Sequence, residues 1–236
     1  NTVTGSNVCI NARDGAIAST GVNYLAVNAT NVALLANTTI SFNGGTAAMN
    51  VEAGTLSARS NGDSVGNGSI RLIDTSGFAV GTVCGVAGVQ SVGGDICLLA
   101  PLGNLAINND VISAGRIMIN ATNGDIFSNA QVNSTGTGGG IFVLAGTFGV
   151  GTHDIIDGNG AALNFAANNM LLNARNVGPG DAIEIDANNL AVIASQSAKI
   201  NDIGGNLTIT PTCVTVCGPI YGLIGSILNN TCINVN

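Results

Sequence analysis

The chain of 236 residues carries six cysteines and a single histidine. The histidine stands in "GTHDIIDGNG", residues 151–160. There His153, Asp154 and Asp157 combine an imidazole with two carboxylates, the groups of a small acid–base or metal cluster. The same string also reads as a polar loop at a corner between strands, and that is the reading adopted. Asp63, Asp74, Asp95, Asp125 and Asp181 are scattered through turn sequences such as "GGD" and "NGD". Aspartate favours such places because it bonds the neighbouring backbone. A site that cleaves polysaccharide needs paired carboxylates on one face, and no such pairing is evident. No P-loop, nucleophile elbow, dinucleotide fingerprint or calcium-binding nonapeptide occurs. The sequence therefore assigns no catalytic, cofactor or metal residue and predicts a protein that is not an enzyme.

An even number of cysteines fits an oxidising compartment, although six buried thiols would give the same count. "TVCG" occurs twice, at 82–85 and 215–218. Cys97 follows Cys84 by 13 residues and Cys232 follows Cys217 by 15. Local alternation points Cys9, Cys97 and Cys232 outward. The repeated spacing predicts the pairs Cys84–Cys97 and Cys217–Cys232. Cys9 and Cys213 are then left near opposite ends of the chain, too far apart for one bridge in a straight rod. They are expected to link one subunit to the next. Cys213 and Cys217 form a "CxxxC" without a nearby histidine, so zinc is not expected.

The elements that hold these residues are set by an unusual composition. Thirty-four residues are glycine, 46% are hydrophobic, 8% are charged, 3% are aromatic, and tryptophan is missing. That hydrophobicity argues for a folded chain. A net charge of −7, with one lysine and five arginines, argues against nucleic-acid binding, which needs clustered positive charge. No run approaches the ~18 apolar residues of a membrane span. No basic segment precedes an apolar stretch, so a signal peptide is expected to be absent or removed.

"DICLLAPLGNLAI" and "RIMINATNGDIFS" lie 21 residues apart and share one pattern. Apolar-x-apolar pairs recur throughout, marked by Ile10, Leu34, Val51, Leu72, Leu98, Ile119, Val143, Phe165, Ile185, Ile209 and Ile233. Their mean spacing of about 22 residues falls in the range of solenoids. Second and third apolar pulses follow each marker, separated by Gly, Asn and Asp. Three short strands per repeat describe a coil of a parallel β-helix. Helix is a poor alternative, because each pulse is short and glycine too frequent. Ile96, Leu98, Ile117, Ile119, Ile141 and Val143 should point inward and stack on their equivalents. Glycines in the pairs Asp14-Gly15, Asn61-Gly62, Asn123-Gly124 and Asp157-Gly158 should make corners by positive φ or tight turns. Asn11 and Asn120 are candidates for stacked amide ladders. Ten coils at about 4.8 Å each predict a rod of about 48 Å.

"GGDICLLAPLGNLAI", "GRIMINATNGDIFS", "DAIEIDANNLAVIAS" and "GGNLTIT" resemble the repeats of filamentous-haemagglutinin-type exoproteins. The resemblance covers about residues 5–210. It implies a right-handed β-helix, export by two-partner secretion and an adhesive role at the cell surface. The secretion-domain signatures "NPNL" and "NPNGI" are missing.

The sequence thus predicts an all-β, right-handed parallel β-helix of about ten coils of roughly 22 residues. Residues 1–210 form the shaft and 211–236 a cysteine-containing terminal coil or inter-subunit joint. Neither end shows a cap, and "VCINA" at 8–12 nearly matches "TCINV" at 231–235. Either the sequence is part of a longer shaft, or subunits stack head to tail into a filament. The expected role is structural or adhesive, outside the cell, with copies of itself or flanking segments as partners and possible host or cell-surface receptors. A β-helix lyase or glycosidase and an ice-binding solenoid, hinted at by "TITPTCVT", are the alternatives. Seven glycosylation sequons occur, at Asn28, Asn37, Asn67, Asn120, Asn133, Asn206 and Asn229, where chance predicts about five.

Overall fold

The structure is a computed structural model. It describes residues 2–19, 25–42, 47–62, 68–148, 152–204, 208–209, 215–216, 220–221 and 234–235. The described residues hold strands and turns without a helix. The strands pair in parallel and stack as a β-solenoid. Each coil contributes to three ladders, designated A, B and C.

Ladder A begins with a column of one residue type. Ile17 is in register with Ile40, Ile40 with Ile70, Ile70 with Ile96, Ile96 with Ile117 and Ile117 with Ile141, before Met170 and Leu190 continue it. Beside it run Leu72, Leu98, Ile119, Val143, Leu172 and Val192. The six residues expected to point inward do so, each at most 1% exposed. Alternate residues of a strand face opposite sides, so one parity fills the core and the other faces out.

Ladder C holds Ile10, Leu34, Ala58, Val89, Val111, Val132, Phe165 and Ile185. The expected markers therefore mixed two ladders: Ile10, Leu34, Phe165 and Ile185 belong to C, and Leu72 to Val143 belong to A. Both ladders use the same apolar alternation, so local pattern does not separate them. Seven complete circuits of the three ladders run from Ile17 to Ile185, fewer than the ten expected.

Corners are closed by side chains that reach one coil along. Asp95 Oδ1 accepts the Arg116 N–H at 2.8 Å, and Asn104 Oδ1 accepts the Asp125 N–H at 2.8 Å. Asn164 Oδ1 accepts the Glu184 N–H at 2.8 Å. Buried Ser91 and Ser134 donate to the carbonyls of Gly68 and Gly115, both at 2.8 Å. Amide ladders also form, at different positions from those expected: Asn7–Asn31 (2.8 Å), Asn168–Asn188 (2.8 Å) and Asn169–Asn189 (3.1 Å). Asn11 instead stands beside Leu35, and Asn120 between Leu99 and Leu144. The glycines with positive φ differ too, and include Gly77 (92°) and Gly88 (70°). At Gly124 the constraint is close approach, since a Cβ there would meet the Gly103 carbonyl.

Candidate functional site

Between the ladder B strand Phe78–Val80 and the ladder C strand Val89–Ser91, the chain leaves the coil. Thr82–Val83 and Val86–Ala87 pair antiparallel, the only antiparallel pairing among the described residues. The turn residues Cys84 (φ 51°) and Gly85 (φ 77°) both have positive φ. Two such central residues make a type I′ turn, the form that matches the twist of a two-residue hairpin. The hairpin folds back over the outside of earlier coils. Ser57 Oγ donates to the Val83 carbonyl at 3.4 Å.

Cys9, Ala33 and Ser57 occupy one row in register across three successive coils. Ala33 and Ser57 are fully buried although they have the outward parity. Their small side chains leave a shallow gutter, and the hairpin tip crosses it to reach Cys9. Cys9 and Cys84 form a disulfide with Cα atoms 6.4 Å apart and 75 residues between them in sequence.

This corrects two expectations. Cys84 bonds Cys9 and not Cys97, and Cys9 is consumed within the chain and not reserved for a neighbouring subunit. Spacing along the chain misled because the hairpin reverses direction and carries Cys84 back down the stack. Cys97 lies on ladder A with a free thiol, between Arg71 and Met118. It has the outward parity but is buried. Burial pushes its pKa up to about 11, against the lowering influence of Arg71, with Asp95 adding to the rise. The thiol is therefore protonated at neutral pH and a poor nucleophile. Cys213, Cys217 and Cys232 lie outside the described residues. So do the sequons Asn67, Asn206 and Asn229. Asn28 and Asn37 are exposed, and Asn120 and Asn133 are half-buried.

The strand Val3–Ala12 pairs on one side with Leu25–Ala36, and among the described residues no strand lies on its other side. Much of it is exposed. It presents a long row of open backbone donors and acceptors, which is a template for another strand. The disulfide fixes this edge covalently to the hairpin.

His153, Asp154 and Asp157 do not converge. His153 Nδ1 lies 3.6 Å from Asp125 Oδ1. Asp154 turns to Arg175, whose Nε and Nη2 donate at 2.9 and 2.7 Å, and also accepts from Asn176 N at 3.1 Å. Burial pushes its pKa up, but the Arg175 and Asn176 bonds outweigh this and hold it below the ordinary value. Asp157 caps its own turn through Asn159 N and Gly160 N. The polar-corner reading describes all three. Among the described residues no group of three His, Cys, Asp or Glu could hold a metal ion.

One carboxylate pair was not anticipated. Ser76 Oγ lies 2.9 Å from Glu52 Oε2 and 3.0 Å from Asp74 Oδ1. Asp74 is 1% exposed, and burial, with the Glu52 charge assisting, raises its pKa to about 6 despite hydrogen bonds from Ala53, and from Ser76. Two carboxylates with separated pKa values are the makings of an acid–base pair. Here the oxygens are already occupied: Oδ2 accepts from Ala53 N at 2.6 Å, and Oδ1 from Ser76 N and Gly77 N at 3.0 Å. The pair ties one coil to the next. The sequence held the signal, because in "IRLID" Asp74 takes the same parity as inward Ile70 and Leu72.

Compared with protein-family models, with curated proteins and with solved structures, the chain matches none.

Proposed function

We propose that the protein is a structural or adhesive element of an extracellular fibre, whose coils continue across the Val3–Ala12 edge into another copy of the chain or a flanking segment. The observation that carries this reading is the edge itself: a ten-residue strand paired on one side and anchored by a disulfide. A strand that receives another chain is strengthened by covalent attachment to the coils behind it. The disulfide fits an oxidising exterior, and the resemblance to haemagglutinin-type repeats supports the same setting. The mechanism is mechanical: stacked coils with a continuous apolar interior make a stiff spacer.

Electron microscopy over a range of concentrations tests the stacking. Fibres with an axial repeat of one subunit are expected, and the double variant Asn7→Lys, Asn11→Lys should shorten them, because lysine on an edge opposes strand addition. Isolated short particles at every concentration would overturn head-to-tail stacking. The second reading, a β-helix polysaccharide lyase or glycosidase, has the Glu52–Asp74 pair in its favour. Release of sugar from a polysaccharide panel, lost in Asp74→Asn, would favour it.

A further inference from the structure

The outer surface of ladder A differs from an ordinary solvated sheet face. One outward row runs Met118, Phe142, Leu171 and Ala191, and its neighbour runs Leu99, Asn120, Leu144, Asn173 and Ile193. From coil to coil, these rows hold no Asp, Glu, Lys, Arg or His. Phe142 is 37% exposed, and Phe148, in the corner that follows ladder A, is 62% exposed. A shallow groove beside Phe142 is lined by Leu171, Asn169 and Asn189. By contrast, the outward row of ladder C includes Arg59, Gln90, Asn133 and Asp186.

Two arguments identify the occupant. The chain has a net charge of −7, so two copies repel each other over most orientations. A face without ionised side chains is where that repulsion is weakest, and an apolar face is complementary to itself. The second argument is area. Five strands at about 4.8 Å by about 17 Å of strand give roughly 400 Å² a side. Two sides make about 800 Å², below the 1,200–2,000 Å² of a stable pair. One such contact is weak. A stack of subunits repeats it along the rod, and the linked contacts reinforce one another.

We infer that the outer face of ladder A packs against the same face of a second copy, so that two rods lie side by side with their sheets about 10 Å apart. This rests on the head-to-tail reading for its strength in a fibre but not for its geometry. Asn120 lies in the middle of the face, so an N-linked sugar there would exclude the contact.

The test is electron microscopy and mass per length of the full chain, wild type beside Phe142→Lys/Leu171→Lys. Paired rods of wild type are expected, with the variant at half the mass per length and an unchanged melting temperature. A second probe, Leu144→Cys under mild oxidation, should give a cross-linked dimer in wild-type background and none in the lysine variant. Single-width fibres from wild type would overturn the lateral contact and leave head-to-tail stacking intact. Short particles paired along their sides would support the contact and overturn the stacking. Short unpaired particles would overturn both. If the lysine variant melts earlier, the Leu144→Cys cross-link decides alone, and its absence overturns the contact.

Discussion

The coils from Ile96 to Ala145 and those from Ile40 to Ser91 solve one packing problem in two ways. In the first group, register partners in ladder A stand 21 and 24 residues apart, from Ile96 to Ile117 to Ile141. In the second, Ile40 and Ile70 are 30 apart. The extra length goes into corners and into the hairpin at 82–87. The second group also carries the disulfide anchor and a buried carboxylate, Asp74. The regular coils are held by apolar stacking. The irregular ones add covalent and polar ties, because their longer corners order more chain for the same core area.

The comparison can be broken at four points. Reducing the Cys9–Cys84 bond, or Cys84→Ser, should have the largest effect. Closing a loop of 75 residues corresponds to about 4.5 kcal/mol of unfolded-chain entropy. Denaturant unfolding with and without reductant should show this loss, and hydrogen exchange should place it in the first coils. Next, Ile117→Ala in the regular group should cost about 3.5 kcal/mol, the usual cost of an unfilled cavity. If reduction destabilised the Ile117 region as much as the first coils, the two groups would be one cooperative unit.

The third point is pH. The pKa of Asp74 is raised from 3.8 to about 6. A carboxyl that is harder to ionise in the folded state stabilises the fold most below pH 3.8, and this contribution is lost as pH rises through about 6. The difference amounts to about 3 kcal/mol. Wild type minus Asp74→Asn, followed by unfolding from pH 4 to pH 7, should isolate it. A flat difference would mean that Asp74 is ionised at no cost. The smallest effect belongs to the regular coils again. Arg116 meets Asp95 at 3.1 Å, but its side chain is 66% exposed. Arg116→Ala should change stability by less than about 0.5 kcal/mol, measured by melting temperature.

The regular coils were legible in the sequence because nothing interrupts them. Ile96, Leu98, Ile117, Ile119, Ile141 and Val143 were placed by alternation alone, and all are buried. The pattern failed where two ladders look alike, as with Leu34 and Phe165, since an apolar-x-apolar string specifies an inward face without saying which one. The disulfide was not legible, because its partners are set by the direction in which a six-residue hairpin folds. No local property of "TVCG" encodes the gutter formed by Ala33 and Ser57 at distant positions. Asp74 was legible by parity and was passed over as a turn residue. The outer face of ladder A was hidden for a related reason: Leu99, Leu144 and Leu171 read as core until the register shows which side they take.

The isoleucine column has a consequence for how such a chain can change over generations. A duplicated segment of one repeat, inserted among the coils from Ile96 to Ile141, would present Ile to Ile on both sides and add one rise to the shaft. The same insertion between Cys9 and Cys84 would carry the hairpin tip one level too far to meet its partner. Shaft length is therefore free to drift in whole-coil steps over one stretch of the gene, while the copy number beneath the staple is locked.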